Sequence, residues 1–505
     1  MLPLLAQAPQ APFTAPTLDY HALAPEIILA GVVCLLLLVD LFLEERRKWL
    51  TSTIAGVGLL AALVPVVTLG LSDEGARSMF GGAYVVDDFS LVLKALFLVA
   101  GYVVILMSTL YIEEGDYYEG EYYFLLVTSI LGMVMMASSR DLISMFVALE
   151  FLSIPVYMLA AWRKRDVKSN EAGMKYFLLG VFASAVMLYG MSLFYGVTNT
   201  TLFEDIATSL AEQGTSPVTV LGIVFIVVGF AFKVSAVPFH TWAPDTYEGA
   251  PTPITAFLSV ASKAAGFVAL VTLVYVAFPS ATNVWQPMFW VLSAVTMTFG
   301  NLLALRQTNI VRMLAYSSVA QGGFILAPLA AVGETPQSTR DALTAVVTYL
   351  IIYAAMNLGA FAIVLVVSRK TRSGEISSFG GLFTYAPGLT VLMTLFLFSL
   401  AGIPPLAGWV AKFTVFQSLL AADNEWATAL AVIGGVNSVI ALYYYGSVAK
   451  TMWMDPVPDG DTSPIRVPQS LAVALGITAA ATLVLGVLPQ LVLRFGDVSR
   501  IALGN

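Results

Sequence analysis

Four lysines, Lys94, Lys233, Lys263 and Lys412, and one carboxylate, Glu150, lie inside otherwise apolar stretches of this chain. A charge at mid-bilayer costs about 2.5–3.5 kcal/mol on an insertion scale, so such residues are rarely idle. In an apolar setting an amine resists protonation and a carboxyl resists ionisation. Groups tuned in this way can trade protons near neutral pH. The chemistry that suits the constellation is stepwise proton transfer through a membrane.

Each residue has a blander reading beside this one. Glu150, in Met145-Phe-Val-Ala-Leu-Glu150-Phe-Leu-Ser-Ile154, could be a protonated, hydrogen-bonded structural group. A basic partner in Lys233 favours function: a paired carboxylate would hold Lys233 charged, and its withdrawal would release the proton. Lys233, in Gly229-Phe-Ala-Phe-Lys233-Val-Ser-Ala-Val-Pro238, lies too deep to snorkel to an interface. Lys263 sits among small residues that suit close packing or a hydrated channel, and would accept from Lys233. Lys412 follows Pro404-Pro405 and would serve the exit side. Lys94 lies about two turns from the outer end of its helix, where snorkelling explains it. His240 could take up protons or could cap a broken helix. Tyr316, Ser317, Ser318 and Gln321 form one polar stripe and Tyr349, Tyr353 and Asn357 another. Both could hold a water wire or bind helices together. Asp40, Asp87 and Asp88 read as ordinary interface charges.

The elements that must position these groups are membrane helices. Of 505 residues, 58% are apolar and 11% charged, against about 25% charged in soluble domains. Fourteen stretches are long enough to span, near 24–43, 50–72, 88–111, 120–138, 141–162, 171–196, 217–240, 252–278, 285–305, 309–332, 338–368, 387–421, 424–454 and 467–495. The start, Met1 to Phe13, carries no basic residue and does not read as a cleaved signal peptide. With the N-terminus outside, the inner loops hold Arg46, Arg47, Lys48, Arg163, Lys164, Arg165, Lys168, Arg306, Arg312, Arg369, Lys370, Arg372, Lys450 and Arg466. Only Arg77, Arg140, Arg340, Arg494 and Arg500 fall outside, and Lys175 opens a helix at the inner face. This asymmetry places both termini on the outer side of the membrane.

Pro238 and Pro244 interrupt the seventh stretch, and Gly402-Ile-Pro-Pro405 the twelfth. Proline removes a backbone donor and clashes with the preceding turn. Each break has a lysine beside it, and the two are five helices apart. An odd offset reverses orientation, which predicts two inverted five-helix repeats. The expected fold is an all-α polytopic membrane protein with broken helices 7 and 12. Its expected parts are three N-terminal helices (1–115), a first repeat of helices 4–8 (116–280), an inverted repeat of helices 9–13 (281–456) and helix 14 (457–505).

The inventory is also exclusive. One cysteine, Cys34, and two histidines, His21 and His240, are too few for an iron–sulfur cluster. No phosphate-binding or dinucleotide-binding glycine motif occurs. No cofactor, metal or nucleic-acid site is expected on this chain, and energy for transport must come from a partner or an ion gradient.

The run Phe232-Lys-Val-Ser-Ala-Val-Pro-Phe-His-Thr-Trp-Ala-Pro-Asp-Thr-Tyr-Glu-Gly-Ala-Pro-Thr-Pro253 resembles the signature of the antiporter-like subunits of respiratory complex I, the NADH:quinone oxidoreductase. Tyr247-Glu-Gly-Ala-Pro-Thr-Pro253 is similar to the subunit N branch, where the L and M branches more often read A-H-T-E-A-P-T. Lys175-Tyr-Phe-Leu-Leu-Gly180, Leu314-Ala-Tyr-Ser-Ser318 and Gly402-Ile-Pro-Pro-Leu-Ala-Gly408 extend the likeness over roughly residues 24–495. The resemblance implies a proton channel carried by Glu150, Lys233, Lys263 and Lys412. It implies K-like and M-like neighbours and a lateral helix from an L-like subunit. FMN, iron–sulfur clusters and quinone would belong to partner subunits. Two departures stand out: Asn199 where many relatives have Gly, and Gln321 where some have His. Two other function classes are to be weighed, a multi-subunit cation/proton antiporter and a membrane scaffold with vestigial charges.

Overall fold

A computed structural model of the chain describes residues 18–44, 47–72, 75–115, 119–331 and 336–498. The expectations for Met1 to Phe13, Arg46 and Arg500 lie outside them. In lipid a backbone must satisfy its own hydrogen bonds, so apolar stretches of this length become helices. All fourteen expected stretches are helical. Eleven helices among the described residues are long and apolar enough to cross a membrane unaided. The first span, Ala24–Asp40, is shorter, and the seventh and twelfth are divided.

The seventh span runs over Pro217–Lys233, breaks, and resumes as the short helix Trp242–Gly249. The break frees carbonyls that need donors, and the protein supplies them. The amides of Ser235 and Ala236 donate to the Phe232 and Ala231 carbonyls, and the Trp242 indole donates to Phe232 at 3.0 Å. The twelfth span divides into Pro387–Ala401 and Ala407–Ala421, with Gly402 at φ +91°. Its halves touch closely: a Cβ on Gly408 would stand 1.7 Å from the Ser399 carbonyl oxygen.

The eighth span, Thr252–Ala277, is buried along its whole length. It carries a π-helical segment, Leu258–Ser262, immediately before Lys263. Such segments widen a helix by one residue per turn and recur at functional sites. The sixth (Val167–Thr198), thirteenth (Glu425–Met454) and fourteenth (Gln469–Val487) spans are largely peripheral.

The structure departs from the sequence reading in several places. The fourteenth span ends at Val487, and Gln490–Val498 forms a separate helix. A β-hairpin, Arg77–Met79 with Tyr84–Val86, stands where no strand was expected. The sixth span starts at Val167, so Lys175 lies two turns inside it rather than opening it. Asp87 is no plain interface charge. It is buried, caps the third span (Asp88–Glu114) through Ser90, and pairs with Arg140 at 2.8 Å. Asn199 ends the sixth span in the left-handed conformation at φ +55°, which Asn tolerates better than most residues and Gly tolerates best.

Candidate functional site

Lys233 is the last residue of the first half of the seventh span and is buried. Its Nζ donates to Ser153 Oγ at 2.9 Å. Ser153 lies on the fifth span, Leu142–Ala160, one turn beyond Glu150. The expected direct pairing of Glu150 with Lys233 is therefore corrected to a neighbourhood: Ser153 takes the ammonium, and Glu150 Oε1 has no hydrogen-bond partner. Glu150 is half-buried, beside the outward-facing Val147, Phe151 and Ile154. Its Oε1 is itself shielded from solvent. Tyr176 stacks on both Phe232, next in sequence to Lys233, and Trp242, with the Tyr176 and Trp242 ring centres 4.4 Å apart.

Lys263 is 2% exposed and donates to Ser318 Oγ at 2.5 Å. Its Nζ lies 5.6 Å from the centre of the Tyr247 ring. Gly266, one turn on, takes the stem of Lys233 against its bare backbone: a Cβ there would meet Lys233 Cγ at 3.1 Å. The seventh and eighth spans thus approach at the point where their lysines emerge.

From Lys263 a polar line crosses the tenth span, Ile310–Ala331. Ser317, next to Ser318, shares a 2.5 Å hydrogen bond with the Tyr445 hydroxyl. Gln321 Nε2 donates to the Tyr445 oxygen at 3.3 Å and to the Leu400 carbonyl at 3.0 Å, while the Tyr349 hydroxyl donates to Gln321 Oε1. The neighbouring Ala401 carbonyl accepts from Lys412 Nζ at 2.8 Å. Lys412 is buried and also lies 4.8 Å from the Phe324 ring centre. The second stripe splits: Tyr349 joins this line, and Asn357 donates to Ser259 at 2.8 Å. The Tyr353 hydroxyl is buried without a protein partner.

His240 falls inside the break of the seventh span, half-buried, with Nδ1 unpartnered and its ring 6.3 Å from Tyr316. Beyond it, the helix Trp242–Gly249 is pinned by ion pairs. Asp245 meets Lys175 at 2.7 Å and Arg312 at 2.9 Å; Glu248 meets Arg312 at 2.9 Å and Lys168 at 3.0 Å. Burial alone would raise these carboxyls. The cations outweigh it and hold both below the ordinary carboxylate range.

Lys94 overturns its sequence reading. It does not snorkel: it is 0% exposed and pairs with Glu26 at 2.7 Å. Tyr84, from the unexpected hairpin, donates to the same Glu26 oxygen at 2.5 Å. Sequence reasoning missed Glu26, Ser153 and Tyr445. A carboxylate two residues into a span reads as an end charge, and a Ser or Tyr within an apolar helix carries no signal of its own. Among the described residues no three His, Cys, Asp or Glu side chains gather as a metal site would require.

Residues 139–440 match a family model described as the transmembrane part of NADH:quinone oxidoreductase and Mrp antiporters. NADH-quinone oxidoreductase subunit N of Trichlorobacter lovleyi is 39% identical over 484 residues, which is 95% of this chain and 97% of that protein. A chain of respiratory complex I from Thermus thermophilus is 30% identical with a TM-score of 0.76, covering 93% of this chain and 98% of that one. A chain of the Mrp complex from Dietzia sp. shares the fold alone, with a TM-score of 0.83 at 20% identity over 95% of this chain and 97% of that one.

Proposed function

The chain belongs to the membrane family of NADH:quinone oxidoreductases and Mrp antiporters, in its NADH-quinone oxidoreductase subunit N branch, and on that premise we propose that it carries protons through Glu150, Lys233, Lys263 and Lys412. The observation that bears this reading is the line of buried polar groups from Lys263 through Ser318, Ser317, Tyr445 and Gln321 to the Leu400 and Ala401 carbonyls and Lys412. A core built only for stability has little use for three buried amines on separate helices.

In this mechanism a neighbouring subunit changes the charge or position near Glu150, which stands half-buried at the protein edge. Glu150 is close enough to Lys233 for its charge to weigh on the amine through a medium of low dielectric. When the carboxylate ceases to favour the ammonium, Lys233 gives its proton to Lys263. Lys263 passes it to the Ser318, Ser317 and Tyr445 hydroxyls, and waters held against Gln321 and the Leu400 and Ala401 carbonyls carry it the rest of the way to Lys412. Moving one proton against 100 mV takes about 2.3 kcal/mol. A hundredfold change in one amine's proton affinity is worth about 2.7 kcal/mol, so one coupled pair suffices for most of a transfer.

The same reading assigns the partners. Other membrane subunits of the oxidoreductase flank the chain, K-like and M-like on its sides, with a lateral helix of an L-like subunit lying across it. The redox groups stand in subunits elsewhere in the complex. The broken seventh and twelfth spans mark equivalent places in two inverted repeats, and both termini face the outside of a bacterial cell membrane. The test is proton pumping measured together with quinone reduction in the assembled complex carrying Lys233→Ala, Lys263→Ala or Glu150→Ala. Each should lose pumping, and tightly coupled turnover with it. Wild-type rates in all three would refute the relay.

A further inference from the structure

An apolar slot of about 260 Å³ lies between the third, eleventh and fourteenth spans. Its walls are built from Val92 to Val103 of the third, Ile351 to Leu358 of the eleventh and Ile477 to Leu485 of the fourteenth, together with Phe495 of the Gln490–Val498 helix. Ala95, Ala100, Ala354, Ala355 and Ala481 stand where larger side chains would have filled the seam. Among the described residues Thr478 is the one polar member of the wall, and its hydroxyl donates back to the Ala474 carbonyl at 2.8 Å. No group is left to hold water, and cavities of this kind stay dry and take apolar ligands.

The slot has the depth of one leaflet. From Val92 to Val103 a helix rises about 16 Å, at about 1.5 Å per residue. Half of a hydrocarbon core of about 30 Å is about 15 Å. The slot lies in the half of the membrane away from the basic loops, since Val92 is one turn from the start of the third span and Leu485 is near the end of the fourteenth. The next residues inward, Val104, Ala362 and Ala474, are 0% exposed, so it ends blind at mid-bilayer. Its side is open, because Val99 and Ile477 are exposed. The Gln490–Val498 helix packs on the eleventh span, where a Cβ on Gly496 would stand 2.6 Å from Thr344 Cγ2. Its Leu491 and Phe495 form an exposed apolar face, while Arg494 and Asp497 are exposed and polar. An amphipathic helix of this kind lies at the level of the lipid headgroups.

A spanning helix of a partner does not fit. It is about 10–12 Å across and would have to continue through the half of the seam that is closed. A single hydrocarbon chain fits in length, in polarity and in entering from the open side. We propose that the slot holds one acyl chain of a phospholipid from the leaflet away from the basic loops, with the headgroup beside the Gln490–Val498 helix. The chain supplies the dispersion contacts that the bare walls lack, and joins the third span to the eleventh and fourteenth through that leaflet. The site is independent of the proton relay, and either can fail alone.

The test uses the assembled complex in phosphatidylcholine vesicles in which part of the lipid carries a photoreactive diazirine on a long acyl chain. The complex is extracted again in detergent to strip loosely held lipid, irradiated, digested and read by mass spectrometry. Peptides bearing residues 92–103, 351–358 and 477–485 should be labelled several-fold above exposed apolar surface elsewhere, such as Val432 to Val439 of the thirteenth span. Ala481→Phe fills the slot and should abolish that excess with assembly unchanged. A short-chain probe cannot reach the blind end and should label the slot no more than the surface. The short-chain comparison needs no substitution, so it decides the matter if Ala481→Phe does not assemble. Uniform labelling of the wild type, as when side chains of a neighbouring subunit plug the slot, overturns the proposal. An excess that persists in assembled Ala481→Phe, or with the short chain, overturns it as well.

Discussion

Removing the amine of Lys94 while leaving Glu26 in place tests whether the buried pair in the N-terminal helices is a clamp. Lys94 Nζ lies 2.7 Å from Glu26 Oε1, and the two side chains are 0% and 11% exposed. Little water can reach a stranded Glu26. Breaking a buried pair from one side costs about 3–5 kcal/mol, because a charge is left uncompensated. Lys94→Met retains most of the stem's packing, so its penalty isolates the charge. At 1.4 kcal/mol per decade the effect on local opening is roughly two to three and a half decades. Hydrogen exchange followed by mass spectrometry should show faster exchange in peptides of the first and third spans, and little change in the tenth to thirteenth. Glu26→Leu with Lys94→Met removes both charges and should return to within about 1 kcal/mol of wild type, or beyond it. Wild-type protection in Lys94→Met would refute the burial argument. Loss of pumping in a well-protected double variant would show instead that the pair sits on the proton path.

Gly408→Ala forces a methyl into the Ser399 carbonyl, so the halves of the twelfth span must separate and carry Lys412 with them. Pumping should fall more steeply than the amount of assembled complex, as read by immunoblot against proton uptake. Gln321→Leu removes the donor to the Leu400 carbonyl and the acceptor of Tyr349, leaving buried groups unsatisfied at about 1–3 kcal/mol each. It should slow pumping even where stability is restored by lower temperature. Asp245 and Glu248 have carboxyls held below their usual range, so the clamp they form is complete above about pH 4 and is lost as pH falls further. Asp245→Asn should flatten the acid side of the thermal-stability profile of the purified complex. An unchanged acid limb would mean that this clamp contributes nothing.

What the sequence could disclose follows from which signals are strong. A span must be about 20 apolar residues, so most helix positions were legible to within a few residues, the end of the fourteenth excepted. Pro238 and Pro404-Pro405 announced both breaks, although a proline alone does not make one: Pro65, Pro155 and Pro287 sit inside continuous helices. Lys233, Lys263 and Lys412 announced themselves by cost, and all three are buried as expected. Partnerships were not legible. The Glu150 carboxylate was the evident mate for Lys233, yet Ser153, a turn away and chemically quiet in sequence, takes the hydrogen bond. Lys94 was misjudged for a similar reason. Distance from a helix end indicates snorkelling only when nothing packs over that end, and here the Tyr84–Val86 strand, with Tyr84 on Glu26, closes the site. Three-residue strands give no periodic pattern to detect.

The two breaks satisfy their freed carbonyls in different ways, and the difference bears on direction. At the seventh span, backbone amides and the Trp242 indole take the Ala231 and Phe232 carbonyls, which leaves the Lys233 amine free to bond Ser153. Lys263 likewise bonds a serine, Ser318. A hydroxyl donates or accepts, so it can serve an ammonium and then, by rotating, the neutral amine left behind. Neither lysine need break its contact to change charge. At the twelfth span Lys412 itself is the donor that the Ala401 carbonyl requires. A carbonyl only accepts, and this one closes a half-helix whose dipole is negative at that end. Its partner therefore offers no hydrogen bond to the lone pair of a neutral amine. Two amines with interchangeable partners followed by one with a fixed acceptor make a line along which protons move easily early and settle late. The arrangement requires the helix to be broken there, since an intact helix would have spent the Leu400 and Ala401 carbonyls on its own amides.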